Sequence, residues 1–113
     1  MYEEKEAYLL RIFLTDKDKY KGKSLFEHLL ENFKDKGIQG ATVFHGIAGY
    51  GNKKMIHSAG ILSVSDALPV VIEVCDDFKN IKLAINITKE FFEKANVGGF
   101  LTYEKAHVIF FKN

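Results

Sequence analysis

The sequence predicts an α+β sandwich with elements in the order βαββαβ, and three observations lead there. Four short runs, residues 7–15, 41–45, 69–75 and 104–111, are rich in apolar strand formers. Two longer stretches, residues 24–36 and 78–95, carry apolar side chains at helical spacing. The 113 residues hold no linker, repeat or low-complexity segment. A single domain over 1–113 is therefore expected, since roughly 100–200 residues is the usual domain size. That element order is the ferredoxin-like split βαβ sandwich, a four-stranded antiparallel sheet with both helices on one face.

The first strand, AYLLRIFLT, is a nearly continuous apolar run, and DKDKYKGK follows it as a solvated turn. SLFE predicts a capping box: Ser24 accepts from the Glu27 backbone N–H, and the Glu27 carboxylate reaches back to the Ser24 amide. Leu25, Phe26, Leu29, Leu30 and Phe33 then form one apolar stripe, while Lys34 and Lys36 suit the negative end of the helix dipole. Gly37 stands where a left-handed helix stop belongs, and Gly40 falls in the turn into the second strand. The third strand, PVVIEVC, opens on the chain's one proline, at a position that tolerates it. Asp77 is the expected cap of the second helix, whose stripe is Phe78, Ile81, Ala84, Ile85, Phe91, Phe92 and Ala95. Gly98 and Gly99 lie just past its end, and EKAHVIFF is the fourth strand.

Helices on one face leave the other face of the sheet to water, so that face should alternate to polar. It does not. Leu9, Phe13, Val71, Ile109 and Phe111 are assigned to it, together with Arg11, Glu73, Cys75 and His107. An apolar patch of that size on a monomer is unusual, so copies of the chain are expected to cover it. Arg11 and Glu73 share this face on neighbouring strands and should pair, with His107 as a further partner, because an unpaired charge on an apolar surface is costly.

Composition narrows the function. Sixteen basic and fifteen acidic side chains give a formal charge of +1, against the basic excess of a nucleic-acid protein. Arg11 is the one arginine, so bidentate arginine clamps on phosphate are nearly excluded and lysine contacts remain. Cys75 has no disulfide partner and its VVIEVC setting suggests a buried strand thiol. The N-terminus MYEEKEAY is too polar for a signal peptide, and no apolar run approaches the roughly 18 residues of a membrane helix. A cytoplasmic protein is expected. The four histidines show no metal-ligand spacing. His28 falls off the helix stripe and is expected in solvent, and His45 and His57 flank the glycine-rich loop.

That loop carries the functional signal. GIQGATVFHGIAGYG, residues 37–51, holds five of the nine glycines and leads into a segment, residues 46–68, far longer than a hairpin needs. Loops beyond about 12–15 residues in compact domains are usually functional or disordered. Gly46, Gly49 and Gly51 permit close approach of a ligand or hinge the segment. Exposed backbone N–H groups in such turns form anion-binding concavities. Lys53 and Lys54 follow at once as point charges for a phosphate, and Tyr50 can pack beside a ring.

GIQGATV, a Gly-aromatic-Gly at the loop root and LPVVIEV together resemble the PII nitrogen-regulatory family and its PII-like relatives, above all one PII-like family catalogued as a domain of unknown function. The resemblance spans nearly the whole chain. It implies a homotrimer that binds an adenine nucleotide, ADP or ATP, between subunits. It also implies a mobile loop, here residues 52–68, that contacts a membrane transporter or an enzyme. Carried over residue by residue, it points to Thr42, to Gly49, Tyr50 and Gly51, and to Gly98 with Gly99. Gly46, Lys53, Lys54 and Lys105 complete the candidate nucleotide site by their nearness in sequence. The chain departs from the PII pattern in four ways: one extra residue between Gly37 and Gly51, a VGGF in place of the GDGK-like element, no counterpart of the phosphate-binding arginines, and no recognisable setting for the loop tyrosine that some PII proteins have uridylylated.

A sensor or binding module is therefore expected, with no catalytic or metal-ligating residues. Two alternatives share the fold: a divalent-metal-binding trimer of the ion-tolerance type, and a small phosphate-cleaving enzyme like the acylphosphatases, whose VQG loop IQGATVF resembles. The loop here lacks the arginine and asparagine that such hydrolysis needs.

Overall fold

The computed structural model describes residues 1–50, 57–58 and 67–113. Strand β1 (Tyr2–Thr15) leads to helix α1 (Leu25–Asp35), strands β2 (Thr42–His45) and β3 (Pro69–Asp76), helix α2 (Phe78–Ala95) and strand β4 (Phe100–Phe111). The sheet order is β2-β3-β1-β4 with every neighbouring pair antiparallel, the ferredoxin-like arrangement. Two short ribbons stand outside it, Lys19–Tyr20 with Lys23–Ser24 and Ala48–Gly49 with His57–Ser58. No helix among the described residues is long and apolar enough to cross a membrane.

The core lies between the sheet and the helices, as strand alternation requires. Leu10, Ile12 and Leu14 of β1 and Val70, Ile72 and Val74 of β3 meet Leu25, Leu29 and Phe33 of α1 and Ile81, Ala84 and Ile87 of α2. The one polar intruder on α2, Thr88, turns its hydroxyl back to the Ala84 carbonyl at 2.8 Å. Burying it leaves no donor unsatisfied.

Helix α1 stops as its sequence demands. Gly37 takes a φ of +87° and its N–H donates to the Lys34 carbonyl at 3.2 Å, while the Ile38 N–H reaches Phe33 at 3.0 Å. These are the paired bonds of a Schellman stop. Helix α2 ends the same way through Asn96 (φ 53°), which supplies the left-handed residue ahead of the two glycines. At its start Asp77 caps as expected, its carboxylate accepting from the Asn80 N–H at 2.8 Å.

The capping box at α1 does not form. Ser24 makes no side-chain cap bond; it belongs to the ribbon with Lys19, and the Leu25 N–H donates instead to the Asp18 carbonyl at 2.8 Å. His28 is not in open solvent either. Its Nε2 lies 2.7 Å from the Tyr20 carbonyl and its ring stacks on Phe91 at 5.4 Å, because α1 and α2 pack side by side there.

The face of the sheet away from the helices is ordered in rows. Phe44, Val71, Phe13 and Phe100 stand opposite one another across all four strands, with Phe13 and Phe100 stacked at 4.4 Å. The next row is polar: Thr42, Glu73, Arg11 and Thr102. Arg11 Nε binds Glu73 at 2.9 Å as expected, and its Nη1 binds Glu104 at 3.0 Å.

The fourth strand corrects its assigned phase. It starts at Phe100 and pairs Phe13↔Phe100, which puts Glu104, Ala106, Val108 and Phe110 on the open face and Ile109 and Phe111 on the helix side. His107 follows them and pairs with Glu4 at 3.0 Å instead of joining Arg11. Strand β1 is likewise longer than its apolar run, because Tyr2–Ala7 pairs with Ala106–Phe111 beyond the end of β3.

Candidate functional site

Thr42 opens β2 on the uncovered face, opposite Glu73. It lines a shallow groove of about 360 Å³ whose other walls are Leu9, Gly40, Ala41, Glu73 and Cys75. One wall is therefore the last turn before β2, and the other is the outward-facing set of β3 and β1. Pairing between β2 and β3 begins only at Thr42, so Gly40 and Ala41 run beside β3 outside the ladder.

The groove mixes apolar and polar contacts. Glu73 is fixed at its floor by Arg11, whose guanidinium is held above its ordinary pKa by hydrogen bonds to Glu73 and Glu104. Cys75 is half-buried, less enclosed than its apolar sequence setting suggests, because it faces outward beside Leu9 while Val74 points into the core. Burial pushes its thiol pKa up, and the neighbouring Asp76 adds to the shift. Hydrogen-bonding groups (Thr42, Glu73) and flat apolar surface (Leu9, Ala41) thus meet within one concavity, a combination suited to a small heterocycle.

The loop-root glycines answer first to packing. A Cβ on Gly46 would lie 2.7 Å from the Pro69 ring and one on Gly49 would lie 3.2 Å from it. The Gly46 N–H also donates to the Pro69 carbonyl at 2.7 Å. Asp16 fastens the other stem: its N–H donates to the Leu68 carbonyl at 3.0 Å and its Oδ1 accepts from the Leu68 N–H at 2.9 Å. Its Oδ2 also lies 3.7 Å from His45 Nε2, so one carboxylate touches both stems of the long segment. His57 pairs with Gly49 in the short ribbon. Among the described residues no three His, Cys, Asp or Glu side chains gather as a metal site.

Tyr50 projects from this root with 71% of its surface exposed. Gly51, Lys53 and Lys54, and most of the expected switching loop, lie outside the described residues. Gly98 and Gly99 sit at the opposite edge of the sheet, where β4 begins beside Phe13. Here too one glycine is required by packing, since a Cβ on Gly99 would meet the Phe13 carbonyl oxygen at 2.5 Å. Lys105 pairs with Tyr8 and so stands on the helix-side phase of β4, opposite in face to Thr42.

Within one chain the candidates therefore fall into two groups on opposite sheet edges. Thr42, Gly46, Gly49 and Tyr50 belong to the β2 edge, and Gly98, Gly99 and Lys105 belong to the β4 edge. Three strand spacings separate the edges, roughly 14 Å at about 4.8 Å each. Sequence reasoning missed the groove walls Leu9, Glu73 and Cys75. Their one detectable signal was the outward phase that β1 and β3 share.

Comparison with known proteins adds the following. The family model described as DUF190, "Uncharacterized ACR", matches residues 7–108. A UPF0166 protein of Aquifex aeolicus is 39% identical over 102 residues, covering 90% of this chain and 92% of that one. A UPF0166 protein of Methanocaldococcus jannaschii is 33% identical over 103 residues, covering 91% and 92%. Among solved structures, CPII of Thiomonas intermedia K12 is a nitrogen regulatory PII-like protein. Its complex with ADP, AMP and bicarbonate aligns with a TM-score of 0.69 at 16% identity, covering 94% of this chain and 91% of that one. Its apo form aligns with a TM-score of 0.66 at 15% identity, covering 96% and 98%.

Proposed function

The chain belongs to the DUF190 family, and from that membership and its PII-like fold we propose that it is a cytoplasmic regulatory protein, one domain over residues 1–113, that binds an adenine nucleotide between copies of itself. The observation that carries this reading is the groove at Thr42. It opens on the uncovered sheet face at the start of β2, and Thr42 in its wall is one of the residues to which the resemblance to PII proteins points. The solved relative CPII is itself described as bound to ADP and AMP.

In this reading the base enters the groove beside Leu9 and Ala41, with Thr42 and Glu73 as hydrogen-bonding partners. The phosphates extend toward Gly49–Gly51, with Lys53 and Lys54 as their charges. The glycines at 98 and 99 come from the β4 edge of a neighbouring copy, since their own edge lies too far away, while Lys105, on the helix-side phase, is turned from this groove. A homotrimer arranged around the uncovered face meets this need and also buries the Phe44–Val71–Phe13–Phe100 row. Residues 52–68 then present themselves to a partner, a transporter or an enzyme, with nucleotide state as the signal.

A binding module fits better than an enzyme. The one arginine, which phosphate hydrolysis in this fold would draw on, is engaged by two carboxylates on the sheet face. The test is calorimetry and thermal shift with AMP, ADP and ATP. A ligand at a hundred times its Kd stabilises the native state by about 2.7 kcal/mol. No shift with any of the three, or steady turnover of ATP, overturns the proposal.

A further inference from the structure

We infer that Asp76 is a positioning residue for the nucleotide groove, acting through the Gln39–Ala41 wall. Asp76 ends β3 with only 5% of its surface exposed. Alternation turns Cys75 outward into the groove and Asp76 inward behind it. There the carboxylate accepts three hydrogen bonds. Oδ2 takes the Gln39 backbone N–H at 3.0 Å and the Asn80 side-chain amide at 3.1 Å, and Oδ1 takes the Asp77 backbone N–H at 2.8 Å.

The first of these bonds crosses to the connection between α1 and β2. The Gly40–Ala41 wall is held at one end by the pairing of Thr42 with Glu73 and at the other by the tie from Gln39 to Asp76. Ile38, buried beneath, anchors the turn from the α1 side. The width of the groove is thus set by a carboxylate that never touches the ligand. A buried carboxylate is suited to this because its two oxygens accept several N–H donors at once, and a carboxamide of the same shape would turn a donor toward one of them.

This role rests on the nucleotide reading above, and the experiment separates the two. Wild type, Asp76→Asn and Asp77→Ala are titrated with ADP by calorimetry, and amide exchange is followed without ligand. Asp77→Ala removes the α2 cap but leaves the Gln39 tie, so it serves as a control for simple destabilisation at the same corner. In Asp76→Asn the Gln39 amide exchanges faster and the ADP Kd rises about tenfold at unchanged oligomeric mass, the worth of one buried hydrogen bond. In Asp77→Ala melting falls and the Kd stays within roughly twofold. An Asp76→Asn protein with wild-type ADP affinity, or with an unchanged Gln39 amide, overturns the positioning role alone. A wild-type protein that binds no ADP overturns the nucleotide reading and this role with it. If Asp76→Asn does not fold, Gln39→Pro, which deletes the donor and keeps the carboxylate, must weaken ADP binding; wild-type affinity there overturns the inference.

Discussion

Gly98 and Gly99 are neighbours, yet a methyl group means opposite things at the two positions. Nothing lies within 4 Å of a Cβ built at Gly98, whereas at Gly99 it would press on the Phe13 carbonyl oxygen and the Phe92 ring. We predict that Gly98→Ala changes stability by less than about 0.5 kcal/mol. Gly99→Ala should cost about 1–3 kcal/mol, as overpacking does. Urea unfolding of the two variants checks this, and equal costs would contradict the close approach of β4 to β1. The thiol of Cys75 gives a second prediction. Because its pKa is raised, native Cys75 should react with iodoacetamide more slowly than a free thiol at pH 8 and accelerate only at higher pH. The sign for stability follows: the contribution is present below the ordinary thiol pKa and is lost as pH rises through the raised value. A Cys75→Ala chain should lack that alkaline loss.

The two helices show how much of each element the sequence reveals. Both begin at a residue that reads as a cap, but only Asp77 acts through its side chain. Asp77→Ala should therefore cost about 1 kcal/mol. Ser24→Ala should cost less than about 0.5 kcal/mol, since the Asp18 carbonyl already takes the first amide of α1. Thermal melts of the two variants decide it. Ser24 was illegible because its competitor is a backbone carbonyl in a ribbon that Lys19, Tyr20 and Lys23 give little sign of forming. Strand β4 fails for a different reason. From Ala106 to Phe111 both alternation sets are largely apolar, so its phase is fixed by pairing with β1 and cannot be read from the strand itself. Where polarity alternated, as with Arg11 and Glu73, the phase and even the ion pair were readable. The α2 boundaries were legible from the Asp77 cap and the apolar stripe, although the left-handed stop falls on Asn96 and not on the glycines that follow.

At the scale of the whole molecule, the uncovered face and the proposed site, divided between two sheet edges, lead to one prediction: more than one copy. Light scattering after size exclusion should give three times the 12.9 kDa chain mass, and a single-chain mass at micromolar concentration would defeat both the trimer and the shared site. Arg11→Met should then lower stability more than Glu104→Gln, because it removes the Arg11 partner of the half-buried Glu73, whereas the exposed Glu104 can turn to water. Thr42 and the loop root were legible as a candidate site because glycines and a threonine around a strand end form a local pattern. Leu9, Glu73 and Asp76 were not, since they reach the groove only through strand register and a bond between residues 39 and 76. One further consequence comes from the stems of the long segment. Gly46 is bonded to Pro69 and Asp16 to Leu68, so the departure from β2 and the return to β3 meet at a fastened base. Above such a base, length is nearly free: doubling the chain it carries adds only about 0.6 kcal/mol of closure entropy. Residues 47–67 should thus tolerate exchange for segments of other lengths like a cassette, while the sheet below keeps its register.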